Sequence, residues 1–223
     1  MNQQYSTVAQ RTSSVLETNK VLRNTYMLLA FTLLFSAFTA ALSMFLKMPP
    51  MTYLISVIGA MVIAMFILPR FANSTAGIGI VFLVTGLLGF GLGPILSLYA
   101  ALPNGSNIIT LSLAGTGVIF IGLSAYALIS KKDFSFLGGF LMVGFLMVLL
   151  AAVANIFLQI PAMSLAISAV VIMIMSGFIL YDTSRIVNGG ETNYVLATIG
   201  LYMTIFNIFV SLLQILGIMG NDD

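Results

Sequence analysis

The chain has 223 residues, 60% hydrophobic and only 6% charged, against roughly 25% charged in soluble domains. That excludes a soluble globule, and a net charge of +2 from basic residues scattered along the whole length excludes a nucleic-acid-binding patch. With no cysteine and no histidine, disulfides, thiolate metal sites and a histidine pH switch are excluded too.

In chain order, residues 1–24 are polar and hold Arg11, Glu17, Lys20 and Arg23. They read as a short flexible tail turning helical near Ser14 or Thr18, without the early apolar region of a cleavable signal peptide, so the first span serves as the membrane address. Apolar runs follow at 25–46, 51–68, 76–101, 107–129, 136–160, 163–181 and 195–219. Each is close to the about 20 residues that cross a bilayer core. The expected fold is an all-α polytopic bundle: residues 25–219 form a single domain of seven transmembrane helices and 220–223 a short external tail.

Seven spans place the tail and the gaps after spans two, four and six on one side. Arg11, Lys20, Arg23, Arg70, Lys131, Lys132 and Arg185 fall there and only Lys47 on the other. By the positive-inside rule the N-terminus is cytoplasmic and the C-terminus external. The lipid bilayer is the first partner the sequence implies.

Span three carries Gly86, Gly89, Gly91, Gly93 and Pro94. One reading is a small-residue face kinked by proline that lets helices approach closely. Another is a broken helix whose freed carbonyls line a cavity for a cation. A phosphate-binding loop is excluded, because no strand precedes the glycines and no Lys-Ser/Thr follows. No cofactor is expected. Asn155 and Asn207 sit in matching contexts, ANIFLQ and FNIFVS, with Gln159 and Gln214 further on, and read as interhelical hydrogen-bonding residues.

Asp182 interrupts the apolar sequence at the end of span six, with Arg185 and Glu191 close behind in the turn to span seven. Ionisable groups beside lipid default to a functional hypothesis. Two readings stand: Asp182 partly hydrated and paired with Arg185 one turn on, or Asp182 turned into the bundle and latched by Arg70 or Arg185, with protonation releasing the latch.

At these residues the sequence resembles the Bax inhibitor-1 family of seven-span membrane proteins. The matching stretches are TGLLGFGLGP in span three, LYDTSRIV at the end of span six and LYMTIFNIFVSLLQILG in span seven. Likeness to its bacterial YccA-type branch comes through KVLRNTY, KKDFSFLGG, ANIFLQIPAMSLAISA and GGETNYVLAT. The family resemblance implies a central span seven surrounded by the other six, and a slow, pH-sensitive leak for calcium ions gated by two aspartates. Asp182 matches the first aspartate, whereas at the second the sequence has Thr204, so a paired carboxylate does not form as in the family pattern. The branch resemblance implies an inner-membrane protein that binds the FtsH-type ATP-dependent membrane protease and restrains it.

Two functions therefore compete: regulation of a membrane protease, with residues 1–24 as the engaged tail, and a cation leak with Asp182 as sensor. Enzyme activity is not expected. Tyr181-Asp182 matches half of an intramembrane aspartyl protease site, but the glycine motif ends GLGP without a second aspartate, and histidine and cysteine are absent. A secondary transporter lacks support, since no inverted repeat is evident and only one carboxylate is placed to couple an ion.

Overall fold

Lipid offers backbone groups no hydrogen bonds, so apolar runs of this length must close their own as helices. The computed structural model describes the backbone of residues 2–220 and the side chains of residues 18–220. Its helices are α1 (Asn2–Phe45), α2 (Met51–Val62), α3 (Leu68–Phe71), α4 (Thr75–Ala100), α5 (Gly105–Ser130), α6 (Leu137–Leu158), α7 (Pro161–Val187) and α8 (Tyr194–Met219). A π-helical segment, Ile63–Ile67, joins α2 to α3, making Met51–Phe71 one span and the total seven. Its cause is Pro69, which cannot donate to the ladder and crowds the carbonyl four residues back. The Leu68 N–H reaches back five residues to the Ile63 carbonyl instead.

The connections are short and made by residues suited to stopping a helix. Lys47, Lys131 and Gln159 adopt left-handed backbone conformations, with φ of 50°, 50° and 53°. Gln159 is followed by Ile160 and then Pro161 in the first turn of α7, where a missing N–H costs nothing. Asn193 caps α8, its side chain accepting from the N–H groups of Val195 and Leu196.

α8 is the central element. In its most apolar window 67% of residues are buried, against 56% for α4 and 11% for α6. It packs directly on α1, α4, α5 and α7, while α2 sits behind α4 and α6 behind α7. The six surrounding spans thus enclose it in two tiers. Leu201, Tyr202, Ile208 and Leu213 of α8 are fully buried, as are Val81, Val84 and Leu88 of α4.

The glycines of α4 lie on its close-packed faces. A methyl group added at Gly89 would collide with the Ser36 carbonyl and Thr39 of α1, and one at Gly93 with Ser43. At Gly91 it would come within 2.8 Å of Ser56 on α2, and at Gly86 within 2.7 Å of the Phe35 ring. α4 is therefore wedged between α1 and α2, and it continues unbroken through Pro94. This is the small-residue face of the two readings; the helix is not broken into a carbonyl-lined cavity.

Span six runs longer than its apolar stretch. The expected end at residue 181 is corrected to Val187, because no helix breaker stands between Tyr181 and Gly189. Lipid-spanning length and helix length are set by different residues. Gly189, at φ 75°, closes the helix, with the Gly190 N–H donating to the Arg185 carbonyl at 2.7 Å. Arg185 accordingly rides on α7 together with Asp182 rather than in the turn. Residues 18–24 likewise belong to α1, whereas the side chains of residues 1–17, including Arg11 and Glu17, and residues 221–223 lie outside the described residues.

Candidate functional site

The end of α7 and the start of α8 enclose a small pocket of about 190 Å³ lined by Asp182, Arg185, Ile186, Glu191, Leu196, Ala197 and Gly200. α7 supplies the first two charges one turn apart, and the Gly189-Gly190 reversal folds Glu191 back over that last turn. Gly200 of α8 leaves room for the carboxylate: a methyl group there would stand 3.4 Å from Asp182 Oδ2.

The ion pair in this pocket is Arg185 Nη2 to Glu191 Oε2 at 3.4 Å. Arg185 also donates to the Gly190 carbonyl at 3.2 Å and stands 5.5 Å from the centre of the Tyr181 ring. The expected salt bridge from Asp182 to Arg185 is therefore corrected, because the chain reversal brings Glu191 to the guanidinium. With the Arg185 and Glu191 side chains 34% and 19% exposed, the pair is partly hydrated and of modest strength.

Arg70, the other expected latch, is exposed at the end of α3 and does not line this pocket. Thr204 lies one turn beyond Gly200, buried, its hydroxyl donating to the Gly200 carbonyl at 3.1 Å. Asn207 donates to Met203 in its own helix at 2.8 Å, and Asn155 to Ser164 across the α6–α7 hairpin at 2.7 Å. The two asparagines do not meet. Gln214 does make an interhelical bond from α8, accepting from Ser168 of α7 at 2.8 Å.

Several residues around the pocket escaped the sequence reading. Ser184 accepts from the Phe134 N–H at 2.9 Å and donates to the Lys132 carbonyl at 3.1 Å, pinning the α5–α6 connection to α7. Asn193 donates to Asn73 at 2.7 Å and to the Ala72 carbonyl at 3.1 Å, pinning the α3–α4 connection to α8. Tyr26 of α1 and Ser124 of α5 are hydrogen-bonded, and Ser124 reaches Thr183, next to Asp182, at 3.4 Å. No periodicity could have signalled these bonds, since their partners are 50 to 121 residues apart. In the α5–α6 connection, Asp133 is exposed, and hydrogen bonds from Ser135 hold its carboxyl below the ordinary value.

Chemically the arrangement is one carboxylate beside a guanidinium already engaged by a second carboxylate. Among the described residues, no three acidic side chains cluster as metal ligands do. The pocket lies beside Asp182 at the end of the bundle where the connections are tied together.

The chain is similar in sequence to several bacterial proteins along almost its whole length. An uncharacterized membrane protein of Vibrio cholerae is 51% identical, covering 96% of this chain and 97% of that protein. The modulator of FtsH protease YccA of Escherichia coli K12 is 50% identical, covering 94% of this chain and 95% of that one. The inner membrane protein YccA of Escherichia coli O6:H1 matches to the same extent. The family model described as inhibitor of apoptosis-promoting Bax1 matches residues 18–221, which takes in all seven spans and the Asp182 pocket, and the chain belongs to this Bax inhibitor-1 family.

Proposed function

We propose that this chain is a multi-pass inner-membrane protein that binds and modulates an FtsH-type membrane protease. The observation that carries the reading is the 50% identity, across 94% of the chain, to the Escherichia coli modulator of that protease. Its N-terminus is cytoplasmic, a reading supported by six basic residues from Lys20 to Arg185 that group with the start of α1 and the even-numbered gaps, against Lys47 alone in the odd-numbered ones. The tied connections around α7 and α8 support a role as a bundle that resists extraction while its tail is engaged. Modulation of this kind needs binding and no catalytic group.

The test is recovery of FtsH with the tagged chain from solubilised membranes. The full chain is expected to retain the protease, and removal of residues 1–17 to lower recovery by about tenfold, equivalent to about 1.4 kcal/mol of binding. Equal recovery would take the tail out of the interaction. No recovery with the full chain would overturn the reading.

A calcium leak is the second reading, favoured by the placement of Asp182 in a pocket with Arg185 and Glu191. With Thr204 where the family pattern has its second aspartate, the native chain in proteoliposomes is expected to pass no pH-dependent calcium current, and Thr204→Asp to introduce one. Native flux that disappears in Asp182→Asn would instead assign the leak to a single carboxylate.

A further inference from the structure

An apolar cavity of about 460 Å³ lies away from the Asp182 pocket, in the half of the bundle nearer the end of α1. Its floor is Tyr202, Phe206 and Phe209 of α8, and its walls are Ala37 and Ala41 of α1 facing Leu113 and Gly117 of α5. α1 and α5 both pack on α8 with their backbones held apart, and Tyr26 of α1 bridges to Ser124 of α5 on the side toward the Asp182 pocket. Small side chains commonly let membrane helices close up; here they leave a cleft instead. Ala37, Ala41 and Leu113 are exposed, so the cleft is continuous with the lipid-facing surface of the bundle. The hydroxyls at its inner end are already satisfied: Ser36 and Tyr202 bond to each other at 2.5 Å, and Thr116 donates to the Ser112 carbonyl at 2.7 Å. Nothing in the interior asks for a polar ligand.

We infer that this cleft is a binding site for one acyl chain of a membrane phospholipid, entering sideways between α1 and α5 with its headgroup left outside. The volume decides against a helix of another protein. A helix with side chains is about 10 Å across and rises 5.4 Å per turn, so a single turn takes about 400 Å³. Taking a methylene as similar in volume to a liquid water, roughly 30 Å³, the cleft holds on the order of fifteen carbons, which is one lipid tail. An empty apolar cavity forfeits dispersion contacts along its lining, and hydrocarbon is the solvent at its mouth. The bound tail would rest on α8, the helix that also borders the Asp182 pocket through Ala197 and Gly200.

The test is native mass spectrometry of the full chain released from mild detergent. The wild type is expected to retain one phospholipid per chain. Gly117→Leu fills the cleft from a position where an added methyl meets open space, and Ala41→Leu fills it from the opposite wall. Each is expected to lower retention about tenfold. Gly122→Leu, on α5 but outside the lining and equally free of neighbours, is expected to leave it unchanged. All three are checked for an unaltered elution profile and melting temperature; Ala37→Leu replaces a filling variant that fails, and Gly79→Leu, outside the lining and free of neighbours, replaces the control. Retention unaffected by filling, no phospholipid on the wild type, or a free fatty acid in its place would each overturn the assignment. So would an oligomer or co-purifying protein lost on filling while phospholipid stays.

Discussion

Gly89→Ala is expected to destabilise the bundle by about 2–3 kcal/mol, the upper range for overpacking, while Gly79→Ala, the same change on the same helix, is expected to be neutral or stabilising. Intrinsic propensity favours alanine over glycine by about 1 kcal/mol at both positions, so helix formation alone predicts two gains. Packing reverses the sign at one of them. The methyl group at Gly89 meets the Ser36 carbonyl and the Thr39 hydroxyl of α1, whereas at Gly79 it meets nothing. A carbonyl in the middle of a helix cannot swing aside as a side-chain tip can, so α1 must move as a body. Unfolding by SDS titration of the purified protein measures both variants against wild type. Equal stabilities would mean that α1 and α4 do not approach as closely as their glycine face implies.

Tyr202→Ala is expected to cost about 3 kcal/mol, in the range for emptying a large aromatic site, and Tyr202→Phe about 1 kcal/mol. Tyr202 is 1% exposed, stacks on Phe206 with ring centres 6.3 Å apart, and joins three helices through its hydroxyl. The hydroxyl bonds to Ser36 of α1 at 2.5 Å and donates to the Thr85 carbonyl of α4 at 3.2 Å. Inside a membrane the ring is held by dispersion and shape rather than by release from water, so the size of the vacated space sets the larger figure. Hydrogen bonds between membrane helices contribute less than their isolation suggests, because partners are also found in the unpacked state. Thermal unfolding in one detergent separates the two contributions. If Phe cost as much as Ala, the hydroxyl junction and not the ring would be what holds α1, α4 and α8 together.

Part of the site was legible because ionisable residues are costly beside lipid and therefore stand out. Asp182 and Arg185 were identified that way, and the Gly-rich face of α4 was visible as a run of small residues. Glu191 was seen only as a charge in a turn. Its role as the partner of Arg185 depends on the left-handed Gly189, which reverses the chain and turns a separation of six residues into a 3.4 Å contact. Arg70 carried the right charge on the right side, yet side alone does not bring a guanidinium into a pocket. The two asparagines in matching contexts illustrate the same point, since similar neighbours in sequence gave one a partner on the next helix and the other a carbonyl in its own.

By itself the sequence determined the class, the number of spans and their approximate limits, because a backbone in lipid has no donor or acceptor outside the chain and a helix is the direct remedy. It also determined which helix ends carry positive charge and, through its motifs, the family. Tertiary structure alone decided which faces meet. Hydrocarbon and protein interior are about equally apolar, so a spanning helix shows little of the two-sided pattern that tells a soluble helix which way to turn. The burial of α8, the Ser36–Tyr202 bond across 166 residues, and the cleft between α1 and α5 all follow from how shapes fit once the helices are side by side.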